Sequence, residues 1–257
     1  MPLTTPFDLT GRVAVITGGG TGIGRATAHV LATFGADVVV ASRRLDNLEK
    51  VAAEVRQLGR RALAVQTDVH IDSDVDRLVE RTVQEYGRLD VLVNNAGGSY
   101  HIPAEDVTPA HFDRMVSLNL RGPFLCSRAA FPVMKKQGRG VIVNIASGAG
   151  MHGAENVMPY GAAKAGLIQM TTLLAAEWAE FGIRVNCIAV GAIKTEGFLR
   201  AMSLVNRDSD TVGGNNAMRR AGWPEEVAYP ILFLASDAAS FVTGETFGVN
   251  GGPRLTS

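Results

Sequence analysis

Short runs of apolar, largely β-branched residues alternate with longer stretches of helical period along the whole chain, and no feature constrains the fold more. The runs Arg12–Thr17, Ala36–Ser42, Ala62–Thr67, Leu89–Val93, Val141–Ala146, Ile183–Ile188 and Thr246–Val249 are predicted strands. A helix is predicted to about Phe34 after the first run, and others over Leu45–Leu58 and Ile71–Tyr86. Long helical stretches precede the fifth and sixth runs. Strands that are near-continuously apolar belong in a parallel sheet covered on both faces. Right-handed crossovers between them give a doubly wound α/β sheet of about seven strands with helices on both faces. No linker, repeat or low-complexity tract interrupts the pattern, so residues 1–257 read as one domain. The stretch 194–223, rich in Gly, Asn and Met, lacks a clean period and reads as a long loop and a candidate substrate lid.

Composition narrows the function classes. Lys plus Arg and Asp plus Glu number 25 each, so no basic excess points to nucleic acid. No apolar run approaches the roughly 20 residues of a membrane span, and Met1–Asp8 lacks a basic segment followed by an apolar one. A cytoplasmic protein is expected. Cys126 and Cys187, the two cysteines, lie in apolar stretches and read as buried, reduced thiols.

The first strand runs into Thr17-Gly18-Gly19-Gly20-Thr21-Gly22-Ile23-Gly24, where a helix opens. Glycines there permit a tight turn and let backbone amides approach a pyrophosphate, and the helix N-terminus adds its positive dipole end. A Gly-rich turn alone is weak evidence. In this strand–turn–helix setting it makes the sheet Rossmann-type and predicts a dinucleotide site. A carboxylate at the end of the second strand would favour NAD. The chain instead has Ser42-Arg43-Arg44, whose hydroxyl and guanidinium forks suit a 2′-phosphate, so NADP(H) is expected over NAD(H).

Tyr160 and Lys164 are spaced i and i+4, which puts phenol and ammonium on one helix face. A nearby cation is expected to lower the phenol's pKa from its ordinary value near 10 toward neutrality. Ser147 stands just past the predicted fifth strand, at the carboxyl end where such sheets bind ligands, and can hold a carbonyl oxygen. The five histidines are scattered without ligand spacing, so no metal is expected.

These residues together resemble the short-chain dehydrogenase/reductase family. The resemblance runs from about Asp8 to Gly252 and rests on Thr17-Gly18-x-x-x-Gly22-Ile23-Gly24, Asp68-Val69, Asn94-Asn95-Ala96-Gly97, Asn119, Ser147, Tyr160-x-x-x-Lys164 and Gly191 with Thr195. It implies Tyr160 as general acid/base, Lys164 on the nicotinamide ribose, Ser147 polarising the carbonyl and Asn119 in a proton relay. It implies a cofactor site of Gly18, Thr21, Gly22, Ile23, Gly24, Ser42, Arg43, Arg44, Asp68, Val69, Asn95, Ala96, Gly97, Gly191, Ile193 and Thr195, together with Tyr160 and Lys164. It also implies a homotetramer. The chain departs from the family's usual Pro-Gly by placing Val190 before Gly191. Asp68 has a plainer reading as the cap of the helix near Ile71, and Asn119 as a partner for buried backbone groups.

The substrate would be framed by Ser99, Tyr100, His101, Met151, His152, Met158, Phe198, Leu199 and Met202, a mostly apolar set with a few polar handles. Three functions follow. The first is carbonyl reduction or alcohol oxidation on a small molecule. The second is reduction of the double bond of an enoyl or dienoyl thioester, and the third is NADP binding without catalysis.

Overall fold

The computed structural model describes residues 5–204 and 208–253. The elements run β1 (Val13–Thr17), α1 (Gly22–Thr33), β2 (Asp37–Ser42), α2 (Leu45–Gln57), β3 (Ala62–Gln66), α3 (Asp72–Tyr86), β4 (Val91–Asn94), α4 (Pro109–Val116), α5 (Gly122–Gln137), β5 (Gly140–Ser147) and α6 (Ala149–His152). There follow α7 (Met158–Trp178), β6 (Ile183–Val190), α8 (Glu196–Leu204), α9 (Ser209–Gly213), α10 (Pro224–Ala235) and β7 (Thr246–Val249). A π-helical turn, Ser117–Arg121, joins α4 to α5.

The sheet has seven strands in the order β3-β2-β1-β4-β5-β6-β7, and every pairing is parallel. Alternate residues of each strand feed opposite faces, as a period of two requires. Ala14 and Ile16 of β1 enter a core with Leu31 of α1, Val51 of α2 and Ile231 of α10. Val13 and Val15 enter the other core, with Leu78 of α3, Leu125 and Met134 of α5 and Ala175 of α7. Both faces are therefore dry, which is why the strands read as continuous apolar runs rather than alternating ones.

The chain reverses its winding between β1 and β4, which pair directly through Ile16 and Val93. A crevice opens at the carboxyl ends of strands on either side of such a switch point. Several strands extend differently from expectation: β4 covers Val91–Asn94, β5 continues to Ser147 and β6 to Val190. The segment 194–223 is not one loop. Ile193 makes a bridge to Gly222, and α8 and α9 lie between them. Lys194 anchors α9 through Asp210, 2.8 Å away. Cys126 and Cys187 are buried free thiols.

Candidate active site

The Gly-rich turn leaves β1 at its carboxyl end and is closed by backbone approach. A Cβ on Gly24 would lie 2.2 Å from the Gly18 carbonyl oxygen and 2.7 Å from Asn95 Nδ2. Gly18 and Gly22 adopt φ of +66° and +53°, which side chains disfavour. Asn95 staples the turn to β4: its Nδ2 donates to the Thr17 carbonyl at 2.9 Å, and its N–H donates to Thr17 Oγ1 at 3.1 Å. The turn opens on a cleft of about 670 Å³ lined by Gly18, Thr21, Gly22, Ile23, Ser42, Arg43, Arg44, Asp68, Val69, Asn95, Ala96, Gly97 and Thr195. Of the sequence-predicted cofactor residues, five do not line it: Gly24, which lies beneath the turn, Gly191 and Ile193, which follow β6, and Tyr160 and Lys164. A glycine cradle with no room for Cβ atoms, at the first amides of α1, fits the pyrophosphate of a nicotinamide dinucleotide.

Asp68 does not cap α3. Its carboxylate accepts from His70 N–H at 3.1 Å, while Asp74 reaches back to accept from Asp68 N–H at 2.9 Å. The carboxylate of Asp68 thus stays at the cleft wall.

Glu196, which sequence reasoning missed, accepts from Gly22 N–H at 2.8 Å. A carboxylate from the start of α8 therefore sits on the first amide of α1, where helix geometry favours an anion. Nothing local marks this residue, because its partner lies across the cleft in another part of the chain.

Beyond the cleft stand the residues expected to transfer the proton. Tyr160 and Lys164 lie on α7, which Pro159 helps to start in its first turn. Ser147, at the end of β5, stands beside the phenol. Lys164 is buried, and its Nζ donates to the Ile145 carbonyl at 2.7 Å. Burial brings its ammonium down to about 8. Burial also pushes the Tyr160 phenol above its ordinary value, and Ser147 pulls it part of the way back. This differs from the expectation that Lys164 lowers the phenol. The reason is geometric: Nζ lies 5.7 Å from the ring centroid and is engaged by a carbonyl.

Asn119 sits in the π-helical turn and is fully buried. Its Nδ2 donates to the carbonyls of Gly98 and Met115, both at 3.0 Å, and its Oδ1 accepts from Gly98 N–H at 3.2 Å. It thus satisfies backbone groups, as the plainer reading held, and it also closes on the same glycine as Lys164. A Cβ on Gly97 would lie 2.9 Å from Asn119 Oδ1 and 3.3 Å from Lys164 Nζ, so the glycine lets the two side chains converge. Ser147 of β5, Tyr160 and Lys164 of α7 and Asn119 of the π-helical turn, from three parts of the chain, thus gather beside the cleft.

The chain belongs to the short-chain dehydrogenase/reductase family. A family model described as enoyl-(acyl carrier protein) reductase matches residues 18–253. The chain is 41% identical over 246 residues to a 3-oxoacyl-[acyl-carrier-protein] reductase of Synechocystis sp., covering 95% of this chain and 97% of that one. It is 38% identical over 257 residues to a peroxisomal 2,4-dienoyl-CoA reductase of Danio rerio, covering 98% of this chain and 85% of the other. The solved structure of a levodione reductase superposes with a TM-score of 0.89 at 36% identity, covering 94% of this chain and 97% of that one.

Within this short-chain dehydrogenase/reductase, the residues expected to frame substrate are mainly exposed. Tyr100, Met151, Met158 and Leu199 stand open to solvent, and Ser99, His101 and His152 are exposed beside them. Phe198 and Met202 are half-buried. The loops after β4 and β5 are tied by Ile102 N–H donating to the Asn156 carbonyl at 2.7 Å, with Asn156 held at φ +61°. Val190, in place of the usual proline, ends β6 with its carbonyl accepting from Gly148 N–H at 2.9 Å. No described helix is long and apolar enough to cross a membrane.

Proposed function

We propose that the protein reduces a small ketone, or oxidises the corresponding alcohol, with NADP(H). The observation that carries this reading is geometric: Asn119 and Lys164 both close on Gly97 in the wall of the glycine-built cleft, one helical turn from Tyr160, which stands beside Ser147. Bound in that cleft, the reduced nicotinamide supplies the hydride. Ser147 holds the carbonyl oxygen and Tyr160 gives its proton to that oxygen as the hydride reaches carbon, so a C–H and an O–H bond form together. Lys164 and Asn119, converging at Gly97, return a proton toward the phenolate. In the oxidative direction the same groups accept the proton.

Arg43 and Arg44 support NADP(H). Both are exposed at the cleft wall, and neither forms an ion pair among the described residues. Relatives named for reduction of a 3-oxoacyl group and of levodione support the carbonyl reading. A second reading, reduction of an enoyl or dienoyl thioester, draws on the family description and the dienoyl-CoA relative. The intact Ser147–Tyr160 pair favours the first, and it argues against NADP binding without catalysis. The active form is a homotetramer in this reading. The exposed apolar groove of Val116, Leu120, Phe124, Met170 and Leu173 on the π-helical turn, α4, α5 and α7 supports self-association. Native mass spectrometry showing only monomer would remove that part.

The test is NADPH consumption across cyclic ketones, β-keto thioesters and enoyl thioesters, with NADH alongside. Turnover of a carbonyl compound with preference for NADPH is expected. Turnover of enoyl thioesters alone transfers the assignment to the second reading, and preference for NADH rejects the role given to Arg43 and Arg44.

A further inference from the structure

A file of polar side chains crosses the interior of the sheet beneath the active site. Ser127 Oγ on α5 donates to the Pro123 carbonyl at 2.7 Å and lies 3.1 Å from Asn94 Nδ2 on β4. Asn94 Nδ2 donates to Asn144 Oδ1 on β5 at 2.8 Å. Asn144 Nδ2 donates to Thr171 Oγ1 on α7 at 2.9 Å, and Thr171 Oγ1 donates to the Leu167 carbonyl at 2.8 Å. No member is more than 2% exposed.

Such a file contributes little net stability, because each hydrogen bond replaces one made to water and nets only about 1 kcal/mol. Asn94 Oδ1 is buried without a donor among the described residues, which is a cost. Apolar residues would fill the same space. Directional bonds add something apolar packing does not, a fixed register between the elements they join.

The register concerned is that of the catalytic helix. Thr171 lies about two turns beyond Lys164 and about three beyond Tyr160, so all three face the sheet. Against them β5 makes contact in order: Asn144 bonds Thr171 and the Ile145 carbonyl bonds Lys164, with Ser147 two residues further on beside Tyr160. At its other end the file meets the start of α5, directly after the π-helical turn that carries Asn119. We propose that Asn144 is a positioning residue, which through Thr171 and Asn94 fixes α7 along β5 and holds Tyr160, Lys164 and Asn119 in register. This rests on the carbonyl-reductase reading for its kinetic consequence, though the register itself does not.

Thr171→Val is nearly isosteric and removes only the hydroxyl, whereas Asn144→Leu risks misfolding. Thr171→Val is expected to lower kcat about tenfold on the ketone turned over by the wild type, with the Kd for NADPH changed less than about twofold. Thr171→Ser, which keeps the hydroxyl, is expected to restore kcat. A substrate-free measurement separates failure of the inference from failure of the functional reading. In 13C-lysine NMR the titration midpoint of Lys164, which faces Tyr160 on its own helix and the Cys187 thiol on β6, is expected to move by about half a pH unit in Thr171→Val. A wild type silent on every ketone rejects the functional reading, while the lysine titration still decides the register. Thr171→Val with a lower melting temperature but wild-type kcat and an unmoved Lys164 titration overturns the inference.

Discussion

At the dinucleotide end of the cleft the wall is backbone: Gly18, Gly22 and Gly24 pack against Asn95 and Thr195 with no room for another methyl. At the end proposed to take substrate the wall is side chains, with Tyr100, Met151, Met158 and Leu199 between 41% and 47% exposed. The first end is built on the core and is set by the parallel pairing of β1 with β4. The second is carried on loops and on α8, outside the core. Binding a constant group on rigid backbone and a variable one on exposed side chains lets the substrate change without disturbing the fold. Shared site chemistry among relatives named for different substrates is what this division predicts.

The division is broken most severely at Gly24. Gly24→Ala sets a methyl against the Gly18 carbonyl, and relief requires the turn to open. Loss of about 3 kcal/mol of stability is expected by denaturant unfolding, together with at least a hundredfold weaker NADPH binding by titration calorimetry.

Lys164 is the exception that sharpens the contrast, a functional group placed inside the core. Its folded value of about 8 lies below the ordinary 10.5, so the fold disfavours the ammonium. Below pH 8 the full penalty of about 3 kcal/mol applies. As pH rises from 8 to 10.5 the folded protein releases a proton that the unfolded chain keeps, and stability rises. Lys164→Met is therefore expected to lose turnover yet unfold at higher denaturant at pH 7, with the difference from wild type shrinking toward pH 10.5. A wild type more stable than the variant at pH 7 contradicts this.

Smaller effects are expected where the two ends touch. Glu196 of α8 occupies the Gly22 amide and competes with any phosphate there. Glu196→Gln is expected to tighten NADPH binding about threefold, measured by fluorescence titration. The smallest change is at the open end: Leu199→Ala is expected to leave stability within about 0.5 kcal/mol while raising the ketone KM severalfold. Loss of several kcal/mol there would place Leu199 in the core.

The sequence announced the sheet because both its faces are buried, so each strand is an uninterrupted apolar run. The glycine turn and the Tyr160–Lys164 spacing were equally legible, since each is a local pattern whose chemistry depends on the helix or turn it occupies. What lay hidden depends on contacts between distant segments. The convergence of Asn119 and Lys164 at Gly97, the carboxylate of Glu196 on Gly22 and the file through Asn144 join residues far apart in the chain. The helices α8 and α9 were also missed, because glycines and asparagines around them blur a period carried by short elements.

The central claim is that Tyr160 moves the proton while the glycine-built cleft holds the cofactor independently. Tyr160→Phe, assayed with the ketone and NADPH and in parallel for NADPH binding, tests it most directly. A fall in kcat of at least about a hundredfold with Kd for NADPH unchanged is the expected result. Retained turnover would contradict it and return the proton-transfer role to another group.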